Sequence, residues 1–297
     1  MNDRIPAIVA DTHNHTGEGP LYHPDEGVVY WVDIPNGDLF RYDPVPDDHE
    51  RVLGYDGAIG GFTMQEGGEL LLFCDRGRVQ PWDRESGLGE PVVESTDGEE
   101  DSRFNDVIAD PRGRVFAGTM PSGGAGGTLY RLDTDGSLAT VETDVGISNG
   151  MGFTPDRHGL YHTETEADAI YEYDYDQATG EVSNRRVFVD TSDVEGSPDG
   201  MTVDAEGCVW SAFWNGGRLA RYDPEGTERK RVEFPAQKVS SVTFGGPDYD
   251  TAYVTTALGP GEGDAGGRES EGAGAGALFA TDLGVCGVPE FRSRIDY

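Results

Sequence analysis

The chain of 297 residues contains very little lysine and few basic side chains of any kind. Lys230 and Lys238 are its only lysines, and 22 basic residues stand against 56 acidic ones, a formal net charge of −34. A surface of this sign repels nucleic acids and anionic membranes, so we expect neither as a partner. The composition resembles that of proteins from salt-loving microbes, where molar salt shortens the Debye length to roughly 3 Å and screens self-repulsion.

Cysteine and long apolar runs are also scarce. The three cysteines are an odd number without a C-x-x-C pair, which argues against a disulfide scaffold. No stretch approaches the length of a membrane span, and residues 1–15 lack the apolar core of a signal peptide. We therefore expect a cytoplasmic protein that is a monomer or a weak homo-oligomer.

An extended helical pattern is missing as well, whereas glycine (44) and proline (17) are frequent. A dipeptide of an aromatic residue or leucine followed by Asp recurs at the ends of predicted strands. Tyr42-Asp43 is the first copy, and a weaker match, Thr281-Asp282, is the last. The mean spacing is about 48 residues, and a strand–turn–strand unit precedes each copy. Six copies of four short strands predict an all-β fold, a six-bladed β-propeller forming a single domain over residues 1–297. A strand over residues 4–10 is expected to close the last blade, and residues 259–276 are expected to form a loop.

Polar residues recur at one position of the repeat, eight to ten residues before the turn glycine, which we call the frame position. Its occupants in the six copies are Glu18, Gly60, Asn105, Asn149, Asp199 and, more loosely, Ser240. An isolated Asn or Asp before a strand is usually a turn residue. Equivalent positions of a propeller nevertheless converge at one mouth of its channel. Two carboxylates and two amides there would offer oxygen ligands to a hard divalent cation.

Other signals have weaker interpretations. Arg103 lies two residues before Asn105 and should point to the same face of an extended segment, where it can bind an anion or a carbonyl or neutralise carboxylates. Residues 146–150 match G-x-S-x-G, but a strand rather than a helix follows, so we do not expect Ser148 to be a nucleophile. His162 lies in an inner strand, where packing is the expected role.

At these residues the sequence resembles the SMP-30/gluconolactonase (regucalcin-like) family of six-bladed propellers, with the composition of a halophilic archaeal member. The motifs that carry the resemblance are GEGPLYH at 17–23, RFNDVIADPRGRVFAGTM at 103–120, SNGMGFTPD at 148–156, SPDGMTVDAEGCVWSAFWNGGRLARYDPEG at 197–226 and FGGPDYDTAYVTTA at 244–257. They cover nearly the whole chain in order.

The resemblance implies a role for each matching residue. Glu18, Asn149 and Asp199 would bind one divalent metal, calcium in the first place, with magnesium, manganese, zinc and ferrous iron as alternatives. Asp199 would also be the general base, and Arg103 and Asn105 would contact the sugar lactone. The implied activity is hydrolysis of aldonolactones to aldonic acids in carbohydrate catabolism, by a carboxylic ester hydrolase whose partner is a small-molecule sugar lactone.

One departure from the family pattern leaves the sugar open. Some members carry an acidic residue soon after the G-T-M motif, whereas here Pro121 and Ser122 follow Met120. Ser122 is therefore a weaker candidate for a substrate contact. Two other functions stay open: a calcium-binding regulatory protein of the regucalcin type, and a phosphotriesterase-like esterase.

Overall fold

Six four-stranded antiparallel sheets account for most of the regular structure of this protein. The structure, a computed structural model, describes residues 6–259 and 266–297. The predicted all-β fold with six propeller blades is confirmed. Helix within the described residues is limited to a 3₁₀ turn at Thr165–Ala167 and one helical turn, α1, at Arg268–Glu271. No described helix has the length and apolar character that a membrane crossing requires.

The strands follow one another in simple order around each blade. The N-terminal strand is β1 (Ala7–Ala10). Blade 1 contains β2 (Gly17–His23), β3 (Val28–Asp33), β4 (Asp38–Asp43) and β5 (Asp48–Gly54), and blade 2 contains β6 (Ile59–Met64), β7 (Leu70–Cys74), β8 (Val79–Asp83) and β9 (Gly87–Leu88). Blade 3 contains β10 (Phe104–Ala109), β11 (Val115–Thr119), β12 (Gly127–Leu132) and β13 (Leu138–Val145), and blade 4 contains β14 (Ser148–Phe153), β15 (Gly159–Glu164), β16 (Ala169–Tyr175) and β17 (Val182–Asp190). Blade 5 contains β18 (Ser197–Val203), β19 (Val209–Trp214), β20 (Arg218–Tyr222) and β21 (Glu228–Glu233), and blade 6 contains β22 (Lys238–Gly245), β23 (Thr251–Ala257), β24 (Leu278–Thr281) and β1.

The contacts between blades define two compact units. The first unit comprises the chain up to Asp56 and Thr191–Pro289, and so holds blades 1, 5 and 6. The second comprises Gly57–Asp190 and Glu290–Tyr297, with blades 2, 3 and 4. The single domain over residues 1–297 stays a prediction.

In the first unit, blade 6 packs between blades 5 and 1 through β22. Its core contains Trp210 and Phe279, both essentially inaccessible to solvent. Strand β1 pairs antiparallel with β24, with Ala7 opposite Ala280, so the predicted N-terminal strand does complete the last blade. Residues 4 and 5 of that predicted strand lie outside the described residues.

In the second unit, β10 contacts β6 of blade 2 and β14 of blade 4. Phe73 and Phe104 meet edge to face, with ring centroids 5.3 Å apart, in the core that blades 2 and 3 share. On the other side of blade 3, Phe116 and Phe153 join a second core with blade 4. Burying such side chains stabilises the fold by about 1.5–3 kcal/mol each, so apolar contact between blades holds this unit together.

The first strand of every blade breaks its register at the frame position. The breaks lie between Glu18 and Leu21, Ile59 and Gly61, Phe104 and Val107, Ser148 and Met151, Pro198 and Met201, and Val239 and Ser241. The residues at the frame position are therefore the second or third residues of these strands, and their predicted place just ahead of the strands is wrong. The reason is that pairing continues on both sides of a bulge, which turns a side chain out of the regular alternation.

Blade 2 and the segment over residues 259–276 each have a distinctive local structure. In blade 2 the frame position is Gly60, where a Cβ would lie 1.9 Å from the Phe104 carbonyl oxygen. The backbone of β6 therefore lies directly against β10, and no side chain fits. The loop expected over residues 259–276 contains the helical turn α1 at Arg268–Glu271, and its residues 260–265 lie outside the described residues.

Candidate functional site

The second unit joins three of the predicted site residues by direct hydrogen bonds. Arg103 Nη1 donates to Asn105 Oδ1 at 2.7 Å, and Asn105 Nδ2 donates to Asn149 Oδ1, also at 2.7 Å. All three side chains are buried. The adjacent first strands of blades 3 and 4 thus carry one polar network, and the expected meeting of their frame residues is observed in this unit.

The side-chain amide of Asn105 uses nearly all of its hydrogen-bonding capacity within this network. Its second N–H donates to the main-chain oxygen of Ser148 at 2.8 Å. With both protons donated and one oxygen lone pair taken by Arg103, only one acceptor site is left. Asn105 can therefore accept one hydrogen bond from a bound hydroxyl, but it cannot donate another without breaking the network.

Hydrogen bonds also hold the side chain of Asn149 in a fixed orientation. Its Nδ2 donates to Thr165 Oγ1 at 2.7 Å, while its Oδ1 accepts from Asn105. The second lone pair of Oδ1 is left for another partner. This arrangement suits an amide that offers its oxygen to a cation.

A buried serine–histidine pair lies beside Asn149. Ser148 Oγ and His162 Nε2 are 2.7 Å apart, and both residues are at most 1% exposed. Ser148 lies in β14 with no helix after it, so the strand–turn–helix of a nucleophile elbow is absent here, as predicted. Because the Ser148 carbonyl accepts from Asn105, the pair acts as a support for the network.

His162 should make the protein less stable in mild acid. Burial lowers the pKa of its imidazole to about 3, and the Arg185 guanidinium adds to the lowering. The unfolded chain binds the proton near pH 6.5, so the stability contribution is full above that pH and is lost as the pH falls toward 3. The slope is about 1.4 kcal/mol per pH unit, or about 2 kcal/mol between pH 6.5 and pH 5.

The measurement is urea unfolding of wild type and His162→Gln at several pH values in molar KCl. Glutamine keeps a polar atom opposite Ser148 but does not titrate, so we expect a flatter pH profile for this variant. His158→Gln, at an exposed position of the same blade, is the matched control and should follow wild type. Equal slopes for wild type and His162→Gln would contradict the assignment.

In the first unit, Glu18 and Asp199 occupy the frame positions of blades 1 and 5, exposed by 3% and 4%. Glu18 Oε2 accepts from the backbone N–H of Gly19 at 3.0 Å, so this carboxylate bends back over its own strand. Ser240, the frame residue of blade 6, donates its hydroxyl to the Gly17 carbonyl at 2.6 Å. Ser240 therefore supports the strand that carries Glu18.

Asp199 is followed by a glycine that allows close packing. A Cβ on Gly200 would lie 2.2 Å from Ser241 Oγ in blade 6. The chain beside Asp199 therefore lies tightly against β22, as its sequence S-P-D-G permits. This contact fixes the backbone on which the carboxylate stands.

Ser122 has a different local role from the other candidates. Its hydroxyl donates to the Asp101 carbonyl at 3.0 Å, and its backbone pairs with Ala125 in a tight turn. Among the described residues, its side chain makes no hydrogen bond to Arg103, Asn105 or Asn149. Its role as a substrate contact stays a prediction.

Sequence reasoning missed two residues of this region. Thr165, which orients Asn149, directly follows β15. Asp106 follows Asn105 in the bulge of β10, and its removal from water raises its pKa to about 7 although Arg103 lowers it. Two consecutive polar residues inside a strand are the signal that could have identified Asp106, because regular alternation places only one of them on a given face.

Within the described residues, no group of three or more His, Cys, Asp or Glu side chains is arranged to hold a metal ion. The candidate ligands Glu18, Asn149 and Asp199 are two carboxylic acids and one amide. All three are buried and carry oxygen donors. That chemistry fits a hard divalent cation.

Two proteins of known activity are similar to this chain over nearly its whole length. The chain is 54% identical over 289 residues to pentonolactonase XacC of Haloferax volcanii, which covers 97% of each chain. It is 34% identical over 300 residues to a 6-deoxy-6-sulfogluconolactonase of Pseudomonas putida, covering 98% of each. The Haloferax relative agrees with the predicted halophilic archaeal composition, and the two names confirm the prediction of lactonases, which are carboxylic ester hydrolases.

A solved structure shows the same fold. The calcium-binding protein regucalcin of Agrobacterium tumefaciens superposes with a TM-score of 0.87 at 25% identity, covering 99% of this chain and 98% of that one. The family model described as the SMP-30/gluconolactonase/LRE-like region matches residues 16–258. From the matched motifs, the blades and these relatives, we conclude that the chain belongs to the SMP-30/gluconolactonase family.

Proposed function

We propose that this protein hydrolyses sugar lactones to aldonic acids, with one divalent cation held by Glu18, Asn149 and Asp199. The observation that carries the proposal is the recurrence of buried oxygen-bearing side chains at the bulged frame position of the first strands. Buried carboxylates persist when they bind cations or other partners, because an isolated buried charge is costly. The 54% identity to a pentonolactonase supports five-carbon lactones as the first substrates to try.

The donor set determines which cation is expected. Oxygen ligands favour calcium, with magnesium or manganese next, and they allow zinc or ferrous iron. The similarity to a calcium-binding regucalcin supports calcium as the first cation to test. When bound, the cation would polarise the lactone carbonyl and stabilise the negative charge that develops on its oxygen.

Arg103 and Asn105 would orient the substrate. Arg103 brings a positive guanidinium to the network, and Asn105 keeps one acceptor site for a hydroxyl. Because the network fixes both side chains before substrate arrives, little side-chain entropy is lost on binding. Such preorganisation contributes to both affinity and rate.

Asp199 would act as the general base. Its carboxylate takes a proton from a water whose oxygen attacks the carbonyl carbon, and the carbonyl π electrons move onto oxygen. When the tetrahedral intermediate collapses, the ring C–O bond breaks. The released alkoxide takes the proton that Asp199 holds and becomes the hydroxyl of the open aldonic acid, which returns Asp199 to its carboxylate form. Lactones are activated esters, so a base of modest strength suffices.

The test is a panel of pentono- and hexonolactones assayed in molar KCl, with and without a chelator. We expect ring opening that the chelator abolishes and that added calcium, magnesium or manganese restores. If no lactone is opened with any of the five candidate metals, the lactonase proposal fails. Calcium binding without turnover would then favour the regucalcin-type alternative, and phosphotriester cleavage would favour the esterase.

Partners, location and association state complete the description of this protein. The small-molecule sugar lactone is the partner that the lactonase relatives support. The absence of nucleic acid and membrane partners, the cytoplasmic location, and the monomeric or weakly associated state stay predictions from the sequence.

A further inference from the structure

Asp106 lies in the same bulge of β10 as Asn105, and the fold makes no evident use of it. The register of β10 against β11 breaks between Phe104 and Val107, so two residues stand in the irregular stretch. In a bulge, two residues oppose one on the partner strand, which takes both side chains out of strict alternation. Asp106 is half-buried there.

The carboxylate of Asp106 makes no hydrogen bond or ion pair with any other described residue. Buried acids elsewhere in the protein behave differently. Asp110 accepts from two backbone N–H groups, from Arg114 and from Tyr175. Asp204 likewise accepts from Trp210 and Arg221. In those places the acid stabilises a turn, whereas at Asp106 no turn or ion pair explains the acid.

The protein groups around Asp106 do not replace the interactions that its carboxyl group would make with water. Removal from solvent raises the pKa of Asp106 to about 7, and the Arg103 guanidinium only partly offsets that effect. Nη1 of Arg103 is already directed at Phe104 O and Asn105 Oδ1. An acid of this kind needs donors from a ligand or from water, and acids with perturbed pKa values cluster at functional sites.

Strand β6 of blade 2 has two glycines where it lies against this part of β10. Blade 2 presents Gly60 and Gly61 to this part of β10, and a Cβ on Gly61 would lie 3.0 Å from the Asn105 carbonyl oxygen. At these two glycines β6 offers β10 only backbone atoms. Ser122, the earlier candidate for an additional contact, uses its hydroxyl on the Asp101 carbonyl.

We propose that Asp106 determines substrate specificity by accepting hydrogen bonds from two neighbouring hydroxyl groups of the lactone. The inference rests on the proposed function, since it assigns a substrate contact within that site. A carboxylate has two acceptor oxygens side by side, which matches a vicinal diol. Arg103, Asn105 and Asp106 would then bind a polyhydroxylated ring from one strand and discriminate against deoxy lactones.

The test compares wild type with Asp106→Asn on an aldono-1,4-lactone and on its 2-deoxy and 3-deoxy analogues. We expect Asp106→Asn to raise the KM of the parent lactone about tenfold to a hundredfold, the loss typical of a hydrogen bond to a charged group. In wild type each deoxy analogue should bind more weakly than the parent lactone. In Asp106→Asn the difference in binding between parent and analogue should shrink or vanish, because the acid and the missing hydroxyl would be partners in the same hydrogen bond. Asp101→Asn, which removes the same charge at an exposed position, should leave KM unchanged.

A binding measurement separates this inference from the proposed function. Calorimetry with the non-hydrolysable aldonolactam gives a Kd for wild type, Asp106→Asn and, should the asparagine variant not fold, Asp106→Ser. If wild type opens no lactone, the proposed function fails, and weaker lactam binding by the variants would still support the contact. An unchanged KM and Kd in the variants, or deoxy differences that persist at full size, would overturn it.

Discussion

Asp199→Asn is expected to lower kcat for lactone hydrolysis about a hundredfold to ten-thousandfold, the usual contribution of a positioned general base. Asparagine keeps an oxygen donor at nearly the same place but cannot take the proton of water. The side chain is 4% exposed, so bulk water cannot easily replace its function. The measurement is kcat at saturating lactone, with the metal content of the variant determined in parallel.

The control for this prediction is Asp193→Asn, which makes the same change at an exposed position before β18. It should keep wild-type kcat in molar salt. Because Asp199 is also a proposed ligand, the decisive sample is Asp199→Asn with metal bound. Near-wild-type turnover by that sample would remove Asp199 from the role of base and would favour a water activated by the cation alone.

Asn105→Leu is expected to reduce both stability and activity. Leucine has a similar volume but leaves the Ser148 carbonyl and Asn149 Oδ1 without their donor, and Arg103 Nη1 without one acceptor. Each buried polar group that loses its partner costs about 1–3 kcal/mol, so the free energy of unfolding should fall by about 3 kcal/mol. We expect kcat/KM to fall at least about a hundredfold, because Arg103 and Asn149 lose their orientation together.

Urea unfolding and steady-state kinetics in molar KCl test this second prediction. Asn36→Leu is the control: Asn36 is exposed and donates one hydrogen bond to Asp33, so its loss should reduce stability by less than about 1 kcal/mol. Metal titration of Asn105→Leu shows whether Asn149 has become a poorer ligand. If the variant is as stable and as active as the control, the network has no organising role.

The acidic composition affects all of these experiments. At low salt the net charge of −34 is not screened, and self-repulsion can unfold the protein. A loss of activity on dilution would then imitate the loss of a catalytic group. Comparing each variant with wild type at the same molar salt concentration separates the two effects.

The blades were predictable because their signals are local. Turn glycines, short apolar strands and an acid at the end of the third strand recur in every copy, as Tyr42-Asp43 ends β4 and Tyr222 ends β20. A period near 48 residues then determines the number of blades. The place of Glu18 within its blade followed from the same count, and its burial agrees with a site residue.

The network around Asn105 was not predictable in this way. Its partner Asn149 is 44 residues distant in sequence, and Ser148 faces His162 across two strands. The Asn105–Asn149 pair depends on how blade 3 packs on blade 4, and the Ser148–His162 pair depends on the register of β14 against β15. No local sequence pattern encodes either. Asp106 was missed because a bulge breaks the two-residue alternation on which strand reasoning depends.

The sequence by itself determined the all-β class, six blades, the frame position within each blade, and the large excess of acidic residues. Only the tertiary structure decided which atoms those groups bind. Asn105 donates both of its amide protons, and the Ser122 hydroxyl donates to the Asp101 carbonyl. Asp106 has no hydrogen-bond or ion-pair partner within the described chain. The physical reason is that strand and turn preferences act between neighbours in the chain. In a β-propeller, hydrogen-bond partners are instead determined by strand register, by bulges and by the packing of one sheet against the next.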